Sequence, residues 1–246
     1  MISKKLINNF LKTFQVEMHG FGYMQSLRKH SNPPDAFSFK RKNIKESKII
    51  FDVGANRGDT VQKYLEIFPT SSIYAFEPFP ELFKSLEARF IASANVNCYS
   101  LAISNKNDFL TFYSNHNPDT NSLLKPQKIG LNSDKQVANI DIIKVESISI
   151  DSFCSANNIN KIDILKMDIQ GGELQGLKGA ETLLSSKNIA LIYIETYFRA
   201  QYESQPLFHD ISLYLAKFGY YLQDIYSPIY GNGSIAWCDA VFLPEG

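Results

Sequence analysis

The feature that most constrains this chain is a short apolar run, Lys48–Val53 (KIIFDV), which breaks at Gly54 and passes through Ala55-Asn56-Arg57-Gly58 into a helical pattern. In that pattern, Asp59–Phe68, Val61, Tyr64, Leu65 and Phe68 recur at spacings of three and four. A buried strand feeding a helix through a glycine turn is the opening of a parallel βαβ unit. The alternation repeats. Ser72–Phe76 reads as a second strand, Pro80–Ile91 as a helix and Val96–Ile103 as a third strand; Ile162–Met167 and Ala190–Glu195 read as further strands with a helix, Glu173–Leu184, between them. A helix, Phe208–Phe218, and two strands, Tyr220–Ile225 and Ala236–Leu243, follow, the strands separated by a Ser-Pro and Gly-Asn-Gly turn region. Between the third and fourth strands, Phe109–Tyr113 and Val137–Ile150 read as the arms of an inserted hairpin around a loop rich in Asn, Asp, Pro and Ser. The expected architecture is α/β, a mostly parallel sheet with helices on both faces.

Ahead of this domain, residues 1–14 place Ile2, Leu6, Ile7, Phe10, Leu11 and Phe14 on one helical face, with Lys4, Lys5 and Lys12 among the polar positions. Such a stripe suits packing on the body of the protein or on a second copy, which makes a homo-oligomer one expectation, or weak contact with a membrane surface. Ser31–Lys48 is polar and rich in helix breakers, so residues 1–47 read as a helical extension and linker and residues 48–246 as the main domain.

Composition narrows the function classes. Lys plus Arg number 25 and Asp plus Glu number 25, a formal charge of zero, which leaves no basic footprint for a nucleic-acid partner. The longest apolar stretches fall short of the roughly 20 residues that cross a bilayer, and the N-terminus lacks the h-region of a signal peptide. Three cysteines, Cys98, Cys154 and Cys238, lie far apart and fit a reducing, cytoplasmic setting. The four histidines show no HxH or HExxH spacing, and no metal site is expected.

In open parallel sheets ligands bind beyond the carboxyl ends of the strands, so the residues directly after the strand runs carry the functional argument. After the first strand stands Asp52-Val53-Gly54-Ala55-Asn56-Arg57-Gly58-Asp59-Thr60, where Gly54 and Gly58 permit a tight turn at a helix N-terminus. After the second stands Glu77-Pro78, nineteen positions beyond Gly58, where an acidic side chain accepts hydrogen bonds from both hydroxyls of a ribose. After the fourth stands Asp168-Ile169-Gln170-Gly171-Gly172-Glu173. A dinucleotide fingerprint requires G-x-G-x-x-G; here Asn56 occupies the middle position, so a pyrophosphate is disfavoured and a cofactor with an amino-acid tail, S-adenosylmethionine, fits better.

The runs DVGANRGDT (Asp52–Thr60), YAFEPFPELFKSL (Tyr74–Leu86) and ILKMDIQGGELQGLKGAETLL (Ile164–Leu184) resemble the signatures of the FkbM family of S-adenosylmethionine-dependent methyltransferases. LAISN (Leu101–Asn105), NSLL (Asn121–Leu124) and VESISIDSF (Val145–Phe153) are similar to its lesser blocks, in the same order. The resemblance implies a class I, Rossmann-like fold with a seven-stranded sheet whose last strand is antiparallel, and O-methylation, commonly of sugar hydroxyls in glycans, glycolipids or secondary metabolites. It implies cofactor contacts from Asp52, Gly54, Asn56, Gly58, Thr60, Glu77, Pro78, Ala102 and Asp168. Gly172 stands where the family often has a larger residue, and residues 1–47 match none of its blocks.

Methyl transfer to a hydroxyl needs alignment, exclusion of water and a group that takes the proton. Asp168, at the mouth of the fourth strand, and Glu173, in the first turn of the next helix, are the expected catalytic carboxylates. Glu195, the aromatic Tyr197, Phe198 and Tyr202, and His116 in the inserted loop are weaker candidates for the acceptor side. Two other classes share these features: a nicotinamide-dependent oxidoreductase, which also uses a glycine turn and an acidic ribose clamp, and a binding module that keeps the fold without turnover.

Overall fold

The computed structural model describes residues 47–115, 118–127, 141–231 and 233–245. The extension expected over residues 1–47, with its membrane or subunit contacts, and His116 lie outside the described residues, Ser47 excepted. Within them, the main sheet has seven strands: β1 (Ile49–Val53), β2 (Ser72–Phe76), β3 (Val96–Tyr99), β7 (Ile164–Met167), β8 (Ile192–Tyr197), β9 (Tyr220–Gly231) and β10 (Ser234–Pro244). Their order across the sheet is β3-β2-β1-β7-β8-β10-β9. All neighbouring pairs are parallel except those of β10, which runs antiparallel to both β8 and β9. The chain thus starts in the middle, builds outward to β3 and returns to the other side of β1, so the carboxyl ends of β1 and β7 meet at the switch point.

Among the described residues six α-helices accompany the strands: α1 (Asp59–Ile67), α2 (Pro80–Phe90), α3 (Ile150–Ala156), α4 (Glu173–Lys178), α5 (Glu181–Ser185) and α6 (Phe208–Ala216). The expected strands and helices recur with four differences. The expected third strand, Val96–Ile103, divides, because Ala102–Ile103 (β4) leaves the main sheet and pairs in parallel with Ser147–Ile148. The inserted hairpin, β5 (Asp108–Ser114) against β6 (Asp141–Ile148), gains this strand and becomes a separate three-stranded sheet. Ile150, expected at the end of a strand, instead opens α3, and the Ser149 side chain caps the N–H of Ser152. The helix expected over Glu173–Leu184 breaks at Gly179, where a Cβ would lie 2.2 Å from the Ser104 carbonyl oxygen, so close backbone approach interrupts it. Finally, Ser227-Pro228 does not end a strand: it sits in an irregularity of β9, where the pairing slips between Trp237/Ile229 and Asp239/Tyr226. β9 is the sheet edge, where a residue without an N–H is tolerated.

The core beneath the first three strands is aromatic. Phe153 of α3 points edge-on into four rings, those of Phe51, Tyr74, Phe76 and Tyr99, with centroids 4.9–5.9 Å away. Helix α3 therefore clamps β1, β2 and β3 into one surface, and with them the loops that follow β1 and β2. No helix among the described residues is long and apolar enough to cross a membrane. Phe153→Ala removes all four edge contacts and leaves a cavity, and is expected to lower the unfolding free energy by about 3–5 kcal/mol. A loss below 1 kcal/mol in denaturant titration would show that α3 is not the clamp.

Candidate active site

Three loops converge at the carboxyl ends of β1, β2 and β7. Gly54, at φ +76°, lies so close to the loop after β7 that a Cβ would fall 1.9 Å from the Asp168 carbonyl oxygen. No other residue fits there. The N–H groups of Gly54 and Ala55 both donate to the Phe76 carbonyl at 3.0 Å, which ties the first loop to the end of β2, and the Asp168 N–H donates to Val53. Under this junction Asp52 and Lys166 are partners across β1 and β7, and their side chains form a buried ion pair at 2.9 Å. The Lys166 Nζ also donates to the Gly54 carbonyl at 2.8 Å. Burial alone would pull the ammonium down, but Asp52, Asp168 and Glu195 together hold it above its ordinary range.

Over the junction opens a cleft of about 340 Å³. Of the residues expected at a cofactor, Gly54, Asn56, Thr60, Glu77, Pro78, Ala102 and Asp168 line it. Two do not. Asp52 is wholly buried below the floor, and Gly58 faces α2, where a Cβ would lie 2.3 Å from the Phe90 ring. Glu77 is nearly buried, and each of its oxygens accepts one backbone N–H at 2.9 Å, from Asn56 and Phe79. Burial raises its carboxyl, and those two N–H bonds oppose the rise. The carboxylate is thus aimed by the backbone, with its remaining lone pairs at the cleft. Leu82, Leu101, Ile103 and Phe112 supply an apolar wall beside it, the last of them contributed by the inserted sheet.

The two expected catalytic carboxylates separate. Asp168 lines the cleft, and its Oδ1 accepts from Gln170 Nε2 at 3.0 Å. Glu173 is 2% exposed and lines neither this cleft nor the hollow beside it; its Oε1 turns back to accept the Ile169 N–H at 2.9 Å. It braces the loop that Gln170, at φ +55°, and Gly171, at φ +98°, bend sharply. Its expected placement toward an acceptor does not hold, because a first-turn side chain reaches the orphan N–H groups at its own helix start more readily than it reaches outward.

Beside the cleft is a second hollow of about 180 Å³, lined by Glu195, Tyr197, Tyr202, Trp237, Gln201 and Thr120 and sharing Asp119 and Gln170 with the first. Gln170 is its hub. Its Nε2 donates to Asp168 and to Glu195 Oε2 at 2.9 Å, and its Oε1 accepts from the hydroxyls of Tyr197 and Tyr202, each at 3.0 Å. The one hydroxyl proton of Tyr197 has Glu195 Oε2 within reach as an alternative acceptor. Burial first, and then the Asp168 charge, hold the Glu195 carboxyl well above the usual carboxylate range. The inserted segment is latched over this network: Asn56 Nδ2 donates to Asp119 at 2.8 Å, Ser122 Oγ donates to the Gln170 carbonyl at 2.7 Å, and the Thr120 carbonyl is an alternative acceptor for the Tyr202 hydroxyl at 3.0 Å. Phe198 is elsewhere, stacked on Phe208 at 5.0 Å.

Sequence reasoning missed four residues of this site. Lys166 is a charge inside a buried strand run, a signal that was legible; Gln170 lies within the DIQGGE block. Asp119 and Trp237 come from distant segments, and only the tertiary pairing of Trp237 with Tyr197 across β10 and β8 brings the latter in. Among the described residues no cluster of three or more His, Cys, Asp or Glu is arranged to hold a metal ion.

Burial pushes the Glu173 carboxyl up to about 7, against the backbone hydrogen bonds it accepts. In the unfolded chain the same group ionises near 4.5, so the stability it contributes is complete below that pH and is lost as pH rises through about 7. Glu173→Gln abolishes this titration. Between pH 4.5 and 7.5 the variant should gain on the wild type by up to about 3 kcal/mol in denaturant unfolding, whereas parallel pH curves would mean that Glu173 is not buried as described.

Three comparisons place this geometry among known proteins. The chain is 25% identical over 167 residues to the 2-O-methyltransferase NoeI of Sinorhizobium fredii, a match covering 65% of this chain and 68% of that protein. It is 25% identical over 162 residues to the hexuronic acid methyltransferase AglP of Haloferax volcanii, covering 65% of this chain and 61% of that one. The magnesium protoporphyrin IX methyltransferase ChlM of Synechocystis, solved with bound S-adenosylmethionine, superposes with a TM-score of 0.48 at 9% identity, over 84% of this chain and 74% of that chain. The methyltransferase FkbM domain matches residues 52–222, well over half of the sequence, and this chain belongs to that family.

Proposed function

We propose that the domain is an S-adenosylmethionine-dependent O-methyltransferase that acts on a sugar hydroxyl. The observation that carries this reading is the pair of adjoining spaces that share Gln170 and Asp119 as a common wall. Direct transfer between two small molecules needs donor and acceptor sites that open on each other, and a binding module needs only one. The names of the two relatives, a 2-O-methyltransferase and a hexuronic acid methyltransferase, support an oxygen acceptor on a sugar.

The residues of the cleft fit the cofactor. Glu77, pre-aimed by two N–H groups, holds the ribose hydroxyls, the Leu82 and Phe112 wall takes the adenine, and Asn56 and Asp168 hold the amino-acid end. When bound, S-adenosylmethionine supplies a methyl group made electrophilic by the sulfonium. The protein's own task is then to orient the acceptor oxygen, exclude water and receive one proton. Asp168 takes that proton. Gln170 fixes its Oδ1, and burial and the Asp168 charge hold the neighbouring Glu195 carboxyl well above the usual carboxylate range. Glu173 positions the loop that carries Asp168 and Gln170.

S-adenosylmethionine or its demethylated product should raise the melting temperature in a concentration-dependent way, by linkage worth about 2.7 kcal/mol at a hundred times Kd, and NADH should not. A response to NADH alone would return the domain to the oxidoreductase class. With labelled S-adenosylmethionine and a panel of glycans, label should pass to a sugar oxygen. At saturating S-adenosylmethionine Asp168→Asn should slow this transfer about 10²- to 10⁴-fold, and a wild-type rate in that variant would remove Asp168 as the base.

A further inference from the structure

Three aromatic side chains, Tyr197, Tyr202 and Trp237, line the hollow beside Gln170, and the sheet treats the last of them as an exception. Strand β10 pairs with β9 in one register from Ser234↔Gly231 to Ile235↔Tyr230, and in the same register again from Asp239↔Tyr226 to Val241↔Asp224. Trp237, opposite Ile229, stands one residue out of it, with a slip on either side. Along its other edge β10 runs against β8 without a break, from Trp237↔Tyr197 to Phe242↔Ile192. A register lost and regained around a single residue adds nothing to the ladder. Irregularities of this kind re-aim a side chain, and they are over-represented next to active sites. The side chain so placed here is an indole beside Tyr197, with ring centroids 6.2 Å apart.

Trp237 is also the ring with a face to offer. Tyr197 and Tyr202 are 5% and 1% exposed and their hydroxyls belong to the Gln170 network, whereas Trp237 is only partly buried, between the buried Ala236 and Cys238. The other lining side chains, Gln170, Gln201, Thr120, Asp119 and Glu195, are hydrogen-bonding groups. An apolar ring face beside such groups matches a pyranose, whose C–H bonds pack on an aromatic ring while its hydroxyls donate and accept at the rim. The size agrees. About 180 Å³ is below the roughly 300–1,000 Å³ of pockets that enclose drug-sized ligands, and it suits one sugar ring. We infer that Trp237 is the platform of the acceptor site: one pyranose stacks its C–H face on the indole and turns a hydroxyl toward Gln170 and the cofactor cleft. This rests on the reading of the hollow as the acceptor site, and it adds the residue that holds the sugar and the feature of the sugar that is selected, a rigid apolar face.

Trp237 is the one tryptophan of the chain, so tryptophan fluorescence reports this position alone. The full chain, saturated with S-adenosylhomocysteine, is titrated with the methyl pyranosides of glucose, galactose, mannose and glucuronic acid, and with the open-chain hexitols, which carry similar hydroxyls and no ring face. At least one pyranoside should change the emission saturably, and its hexitol should bind about tenfold or more weakly. Trp237→Ala should weaken that pyranoside about tenfold or more in saturation-transfer NMR with S-adenosylhomocysteine affinity unchanged, and Trp237→Phe should keep most of the affinity. Should Trp237→Ala fail to fold, the emission change and the hexitol comparison, both made on the wild type, still decide. No binding by any pyranoside, a bound pyranoside that leaves the emission unchanged, a hexitol that binds equally well, or wild-type affinity in Trp237→Ala overturns the inference and leaves the cofactor reading standing. Failure of S-adenosylhomocysteine itself to bind overturns instead the methyltransferase reading on which the inference rests.

Discussion

The buried pair Lys166–Asp52 is the constraint on which the rest of the site depends. It lies at the switch point, between two strands that are far apart in sequence and adjacent in the sheet. An ion pair in the interior is costly to desolvate and is a weak general argument for stability. Its value here is positional. The bond of the ammonium to the Gly54 carbonyl fixes the direction in which the chain leaves β1, and the absence of a side chain at Gly54 lets that turn rest on the Asp168 carbonyl. Removal of either charge would strand the other in the core, beneath loops that the Asp168 N–H to Val53 bond still joins.

From that junction the polar groups form one connected system. Glu77 is aimed by the N–H of Asn56, Asn56 holds Asp119 of the insert, the insert holds the Gln170 carbonyl through Ser122, and the Gln170 side chain joins Asp168, Glu195, Tyr197 and Tyr202. The three-stranded insert is therefore more than an appendage on the sheet. It supplies Phe112 to one space and Asp119 to both. A network of this kind is rigid only if its members are satisfied together, which gives the insert a structural stake in the geometry of residues that belong to the Rossmann-like frame.

The frame was largely legible in the sequence because its signals are local. Buried-strand runs, helical spacing and glycine turns each lie within a dozen residues, and the parallel order follows from their alternation. The departures arise where tertiary contact overrides a local pattern: Ala102–Ile103 continues a strand by composition but is captured by β6, and the helix after Glu173 is interrupted because the Ser104 backbone presses on Gly179. The site divides along the same line. Asn56, Glu77 and Asp168 follow their strands directly and face the cleft; Gly58 satisfied the same motif for a packing reason, its contact with Phe90. Trp237 had no local signal, since its relevance is created by the register of β10, and Asp119 carried only that of a polar inserted loop suited to a substrate lid, its own contact with Asn56 being tertiary.

Glu173 shows why proximity in a motif does not assign a role. It stands five residues after Asp168, yet the sharp bend through Gln170 and Gly171 reverses the chain between them and leaves one carboxylate at the surface of the cleft and the other in the core. A buried carboxylate with a raised pKa in an active-site loop has the profile of a general base, and on that ground alone Glu173 would be chosen. Its Oε1 instead accepts the Ile169 N–H and it lines neither space, which supports reading Glu173 as a positioning residue. The same bend that hides Glu173 turns Gln170 outward, so the loop exchanges a second charged group at the surface for a neutral amide. That amide donates to two carboxylates and accepts from the phenols, and it keeps Asp168 and Glu195 in one hydrogen-bonded array where a carboxylate would repel both and an ammonium would have no atom to accept from the phenols.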